Sequence, residues 1–375
     1  MKNLSLYLHI PFCKKKCAYC DFVSLAKSPE YQEKYISALI KEFETSSITA
    51  SNYNIDTVYI GGGTPSFLSY ESIDRLLFAL HSNFDLSKVR EFTFECNPES
   101  LDESKLRLLK KYEINRISLG LQSADEYELI FLRRSHNFDT FLNSYKLIRK
   151  EGFKNVSVDL MFAIPTQTLL SLSQSLEKVV ALSPEHISCY SLIIEEDTLM
   201  SRWINEGKAN PVDDDLYVDM YRFLIEFLEK NGYDQYEISN FSKSGFESLH
   251  NSAYWIRQDY LGLGVSSHSL INNSRFSNVN NVDEYMLRLL ASKSPIDENS
   301  LEKLDEKDII NESIFLGLRM NKGIKFSEFE HIDGFYDKCK GLENLELIEF
   351  FEDNIRLTQK GREVSNSVFS ELMID

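Results

Sequence analysis

The stretch HIPFCKKKCAYCDF, residues 9–22, sets Cys13, Cys17 and Cys20 at the spacing C-x3-C-x2-C. Thiols this close on one short loop are metal ligands before they are disulfide partners. A structural zinc site asks for four closed ligands, often two C-x2-C pairs, and the chain has no second pair. A [4Fe–4S] cluster is held by thiolates, and three of them hold three irons and leave the fourth open for a small chelating ligand. Lys14, Lys15 and Lys16 lie between the first two ligands. Positive charge there favours thiolate and offsets the negative charge of a cluster. Of the other cysteines, Cys96 and Cys189 sit in apolar runs and read as buried thiols, and Cys339 stands alone near the C-terminus.

Further residues with chemistry to offer fall where strand-like runs end. LSLYLHI (4–10), DTVYIGGG (56–63), EFTFECNPE (91–99), RISLGLQS (116–123), VSVDLMFAIP (156–165) and HISCYSLII (186–194) are short, apolar and rich in β-branched and aromatic residues. Amphipathic helical patterns over 31–44, 70–84, 101–112, 137–153 and 168–184 separate them. This alternation predicts right-handed βαβ units and a parallel sheet. Cys13, the glycines 61–63, Glu95, Gln122 and Asp159 each stand at a strand end. In a TIM-type barrel those ends share one face, and that face carries the active site. The expected fold is α/β: a partial (β/α)6 TIM-type barrel rather than a flat doubly wound sheet.

Beyond residue 200 the pattern changes. Residues 213–233 read as a capped helix closed by Gly232, and 271–281 as an exposed loop or hairpin. Residues 342–373 read as helix, short β-hairpin and helix, a small winged-helix-like α+β module. The expected organisation is a barrel over 1–235, a connecting segment over 236–299 and a C-terminal domain over 300–375. A module that packs against the barrel fits the acidic surroundings better than DNA binding does. The 375 residues carry 41 basic and 58 acidic side chains, a net charge of −17. That balance argues against a general nucleic-acid binder and against broad docking on anionic lipid. No secretory signal and no bilayer-length apolar run is visible, so a cytoplasmic location is expected, where thiols stay reduced.

The cysteine spacing after a first strand resembles the radical S-adenosylmethionine (SAM) superfamily. The resemblance implies that Cys13, Cys17 and Cys20 bind a [4Fe–4S] cluster and that SAM chelates the open iron. One electron then cleaves its sulfonium and releases a 5′-deoxyadenosyl radical. It further implies SAM contacts for Gly62, Gly63 and Thr64 in GGGTP, for Glu95 in ECNPE, and for Gln122, Arg134 and Asp159. An arginine's planar fork suits a carboxylate. Tyr7 matches a position near the cluster and reads equally as a core tyrosine on a strand; His9 reads as structural.

YLHIPFC, GGGTPS, RISLGLQS and DLMFAIP, in this order, narrow the resemblance to the oxygen-independent coproporphyrinogen oxidase group. Within it, the oxidases decarboxylate two propionates of coproporphyrinogen, whereas the HemW-like members are described as heme chaperones. Oxidases carry a further cysteine two residues after the third ligand, where this chain has Phe22, and a longer segment before the cluster. HNSAYW (250–255) matches the HNxxYW motif associated with heme in the HemW-like group. His250 is thus a candidate iron ligand, with Tyr254 and Trp255 as flat apolar surface. His250 and Asn251 read alternatively as hydrogen-bonded structural residues beside packed aromatics. His268, preceded by Ser266 and Ser267 where many relatives have Gly-Ala, is a second candidate.

Three readings follow: a heme carrier that keeps a cluster and SAM, a coproporphyrinogen oxidase, and a zinc-stabilised interaction protein. Phe22 and HNSAYW favour the first, which implies heme, heme-accepting apoproteins such as respiratory enzymes, and an electron donor as partners. Oligomeric state is left open, a homodimer included.

Overall fold

The computed structural model describes residues 1–374. Strand β1 (Lys2–Ile10) runs into the cysteine loop and then α1 (Pro29–Ala50). There follow β2 (Tyr53–Gly62), α2 (Tyr70–Asn83), β3 (Glu91–Cys96), α3 (Glu103–Lys111) and β4 (Arg116–Gln122). Helices α4 (Glu126–Phe131) and α5 (Phe138–Lys150) precede β5 (Asn155–Phe162), and α6 (Leu169–Leu182) precedes β6 (His186–Ser191). These strands are parallel, each beside the next, as the βα alternation predicts.

Their sequences explain both faces of the sheet. Strands in parallel sheets, buried on both sides, usually read as continuous apolar runs. Here they alternate. Leu4, Leu6, Leu8 and Ile10 of β1 are fully buried in the main core, while Ser5, Tyr7 and His9 point the other way. In β3, Phe92 and Phe94 join the core, while Glu91, Thr93 and Glu95 form the opposite face. In β4, Ile117, Leu119 and Leu121 join it, while Arg116, Ser118 and Gln122 do not. The inner face is a polar lining, the property an apolar-packed barrel lacks and a binding site needs.

The second half of the chain frames this half-barrel. After α7 (Leu199–Asn205) and α8 (Asp214–Lys230), a hairpin of β7 (Asp234–Glu237) and β8 (Asn240–Ser242) extends the sheet beyond β6, with β8 antiparallel to it. Helix α9 (Leu249–Trp255) then carries the chain to the opposite edge. There β9 (Tyr260–Leu263) pairs parallel with β1, followed by β10 (His268–Ile271) and β11 (Ser274–Ser277). The expected hairpin over 271–281 is this β10–β11 pair, whose turn residues Asn272 and Asn273 adopt positive φ. Helix α10 (Val282–Leu290) packs on α1, and the short β12 (Glu302–Lys303) ends that edge. Among the described residues the outermost strands, β7 and β12, do not pair, so the sheet stays open.

The C-terminal unit has its own core, built on Ile314, Phe335, Ile348, Ile355 and Leu372. It comprises α11 (Glu306–Gly317), β13 (Ile324–Lys325), α12 (Phe335–Asn344), the hairpin β14 (Ile348–Phe351) and β15 (Asn354–Leu357), then α13 (Gln359–Glu363) and α14 (Ser365–Leu372).

Candidate functional site

A cavity of about 150 Å³ opens at the C-terminal ends of β1 to β6. Of the residues expected to meet the cluster and SAM, all but Tyr7 line it, whereas the candidates for heme, His250, Tyr254, Trp255 and His268, do not. Cys13, Cys17 and Cys20 line it together with Gly62, Gly63, Thr64, Glu95, Gln122, Arg134 and Asp159.

The cysteine loop is fastened by backbone. The Cys13 N–H donates to Leu25 O at 3.1 Å and the Leu25 N–H to Pro11 O at 2.8 Å. Ala18 is bonded to Leu132 and to the first turn of α7 through Met200. Cys13 Sγ lies 3.4 Å from Thr64 Oγ1, Cys20 Sγ 3.9 Å from Ser24 Oγ, and Arg134 Nη1 donates to Cys17 Sγ at 3.5 Å. Burial pushes the Cys13 thiol up to about 11 and raises Cys20, so a bound metal has to displace their protons. Among the described residues no group of three or more His, Cys, Asp or Glu side chains converges where one metal ion would sit. Three thiols lining one cavity are the donor type that a thiolate-bound iron–sulfur cluster takes.

The rest of the lining is charged and partly unsatisfied. Tyr59 OH donates to Glu95 Oε1 at 2.6 Å and the Gly62 N–H to Oε2 at 3.1 Å. Burial nevertheless raises the Glu95 carboxyl to about 7. Asp159, also raised by burial, accepts from Ser118 Oγ at 3.1 Å. A register shift between Gly120 and Gln122 at the end of β4 turns Gln122 into a left-handed conformation, φ 67°. Its Oε1 is buried without a partner, as is Arg134 Nε. Unpaired buried groups of this kind cost free energy unless a ligand meets them. The wall can take an ammonium or sugar hydroxyls on its carboxylates and a carboxylate on Arg134. The donor set therefore fits a thiolate-bound cluster together with a zwitterionic ligand.

Sequence reasoning passed over Asn97, which links Thr64 to Arg134: its Nδ2 donates to Thr64 Oγ1 at 2.8 Å and its Oδ1 accepts from Arg134 Nη2 at 2.7 Å. Its only signal was its position two residues after Glu95. Ser118, which orients Asp159, was visible only as the inward-facing position of β4. Gly62 is fixed by φ +111° and by the His9 ring, 2.6 Å from where a Cβ would stand. That ring is pinned between Tyr7 OH and Val23 O, each at 3.0 Å, so Tyr7 supports the far end of the cysteine loop without lining the cavity.

His250 lies elsewhere. It is buried at the N-terminal ends of the strands, its Nδ1 2.8 Å from Thr57 Oγ1 and its Nε2 3.0 Å from Tyr254 OH. Glu91 accepts the Leu249 and His250 N–H groups at 2.9 and 3.1 Å and so caps α9. Gln258 reaches Ser5, and Tyr236 OH bridges Ser248 N to His186. In this arrangement α9 plugs the half-barrel from below, and both ring nitrogens of His250 are engaged. His268 is exposed on β10, also away from the cavity.

The comparisons with known proteins agree with this architecture. Residues 7–179 match the Radical SAM superfamily and residues 304–364 the HemN C-terminal domain. Heme chaperone HemW of Lactococcus lactis subsp. lactis is 36% identical, over 100% of this chain and 98% of its own length. Heme chaperone HemW of Bacillus subtilis is 35% identical, over 98% of this chain and 99% of its own. The solved structure of coproporphyrinogen III oxidase (HemN) from Escherichia coli superposes with a TM-score of 0.86 at 23% identity, over 99% of this chain and 90% of that one, and so shares the fold. With this similarity running from end to end, the chain belongs to the HemW family within the radical SAM superfamily.

Proposed function

We infer that this chain is a heme chaperone: it holds a [4Fe–4S] cluster on Cys13, Cys17 and Cys20, binds SAM beside it, and delivers heme to acceptor proteins. The observation that carries the reading is the full-length likeness to two proteins named heme chaperones, in a chain with the exposed Phe22 where oxidases carry a further cysteine. The cluster, when bound, supplies the electron that cleaves the SAM sulfonium. The residues of the chain do the rest. Glu95 takes the ammonium of SAM while Tyr59 and the Gly62 N–H hold its carboxylate in place. Arg134, steered by Asn97, takes the SAM carboxylate, and Asp159 and Gln122 take ribose hydroxyls. An electron donor, heme-accepting apoproteins and a cytoplasmic setting belong to the same reading. No helix among the described residues is long and apolar enough to cross a membrane.

The test is transfer. Protein reconstituted anaerobically with iron and sulfide is loaded with hemin and mixed with apomyoglobin, and Soret absorbance follows the exchange. Saturable loading followed by transfer is the expected result. No saturable loading, or turnover of coproporphyrinogen, would replace the chaperone reading with the oxidase one.

A further inference from the structure

Asn97 stands where its place in the chain calls for a helix cap, and it does not cap. It precedes Pro98, which favours extended backbone, and it adopts φ −101°, ψ 144° at the head of the short 3-10 turn Pro98–Ser100. Asparagine in that position usually accepts from the first backbone N–H groups of the turn, but its side chain makes no such bond here. Its backbone is pinned on both sides instead. The N–H donates to Ser66 Oγ at 3.1 Å, and the carbonyl accepts from Ser100 N and Oγ at 3.1 and 2.8 Å. The Lys105 ammonium ties the two serines together through their carbonyls, at 2.8 and 3.0 Å. The side chain is thereby held in the lining of the thiol cavity.

Chemistry fixes the direction of each hydrogen bond along this side chain. A guanidinium only donates, so the amide atom facing Arg134 Nη2, at 2.7 Å, is the oxygen. The amide nitrogen then faces Thr64 Oγ1 at 2.8 Å and donates to it. With that lone pair taken, the Thr64 hydroxyl is left to give its own hydrogen to Cys13 Sγ, 3.4 Å away. Arg134 Nη1 meanwhile donates to Cys17 Sγ at 3.5 Å. Two of the three thiols are thus joined through Thr64, Asn97 and Arg134, with a donor aimed at each sulfur. Gly120 leaves room for the link: a Cβ there would stand 3.2 Å from Asn97 Oδ1 and 3.3 Å from Arg134 Nη2.

We propose that Asn97 is a positioning residue that, through Thr64 and Arg134, keeps a donor on each of Cys13 and Cys17 and so sets the reduction potential of the cluster they hold. The proposal rests on the reading of these cysteines as cluster ligands. Donors to the sulfurs favour the more negative, reduced state and raise the potential. Asn97 touches no thiol itself. It acts by filling the acceptor site of Thr64, which turns the hydroxyl hydrogen toward sulfur.

The test measures the midpoint potential of the full chain, reconstituted anaerobically with iron and sulfide, by the EPR signal of the reduced cluster. Asn97→Asp keeps the shape and the bond to Arg134 but accepts where the amide donated, so the Thr64 hydrogen turns away from Cys13. Thr64→Val removes that hydroxyl, and Thr64→Ser keeps it. Asn97→Asp and Thr64→Val should each shift the one-electron equilibrium about tenfold toward the oxidised cluster, ~59 mV, and Thr64→Ser should stay at the wild-type value. Asn97→Asp also adds a negative charge, which lowers the potential by itself. Part of its effect passes through the hydroxyl, so it should shift the Thr64→Val protein less than it shifts wild type. Equal shifts in the two backgrounds, or a Thr64→Val equilibrium within about twofold of wild type, would overturn the relay and leave the cluster reading intact. Should Asn97→Asp fail to hold a cluster, the Thr64→Val and Thr64→Ser potentials decide alone. Wild type that takes up no cluster would end the cluster reading itself, and the relay with it.

Discussion

Replacing His250 by Gln should flatten the acid side of the stability curve. Burial, with the charge of Arg116 adding to it, holds the ring neutral and lowers its pKa from 6.5 to about 3. Below pH 6.5 the unfolded chain takes up a proton that the folded chain refuses, so acid favours unfolding. The contribution of the neutral ring is complete above that pH and drains away as pH falls toward 3. At ~1.4 kcal/mol per pH unit, going from about pH 7.5 to about pH 5 removes roughly 2 kcal/mol at this one group. A glutamine amide can still meet the hydroxyls of Thr57 and Tyr254 but carries no such proton. His9 and His186, also lowered by burial, act in both proteins and cancel in the difference. Urea unfolding of both proteins, followed by circular dichroism at the two pH values, measures it. The wild-type advantage should shrink by roughly 2 kcal/mol on acidification. Parallel curves would mean a ring that protonates freely in the folded state, and the account of α9 as a sealed plug would be wrong.

Two further substitutions probe the upper cavity. Glu95→Gln should stabilise the protein by up to ~3 kcal/mol near pH 8 while abolishing SAM binding. The carboxyl is raised to about 7, so the folded state favours its protonated form, and that contribution is present below pH 4.5 and lost as pH rises through 7. Thermal midpoints that fail to diverge with rising pH would contradict this. Gly62→Ala should lower stability by about 2–3 kcal/mol, because φ +111° and the His9 ring at 2.6 Å leave no room for a Cβ. An unchanged melting temperature would show that the His9 clamp is loose.

How much of this was legible in the sequence depends on how local the cause is. Runs such as LSLYLHI and EFTFEC predict strands because β-branched and aromatic residues suit a pleated, half-buried surface, and the strand-end residues meet in one cavity because parallel strands put their ends together. The pairing of β9 with β1, some 250 residues apart in the chain, leaves no local trace. Nor does the direction of a seven-residue helix such as α9. HNSAYW announces a special segment, yet which way its histidine and its tryptophan face is decided by Glu91, Thr57 and the C-terminal unit, all distant in sequence. Asn97 and Ser118 are ordinary polar residues until the fold sets them against Arg134 and Asp159.

The plug also divides traffic. With α9 anchored across the N-terminal ends of the strands, the thiol-lined cavity sits at their opposite ends, whereas a second cavity, lined by Trp255, Ile324 and Phe329, sits beside the C-terminal unit. A ligand at the cysteines and one beside the C-terminal unit would use separate doors. Neither has to leave for the other to enter, so the order of loading is free. Occupancy of one cavity leaves the other free.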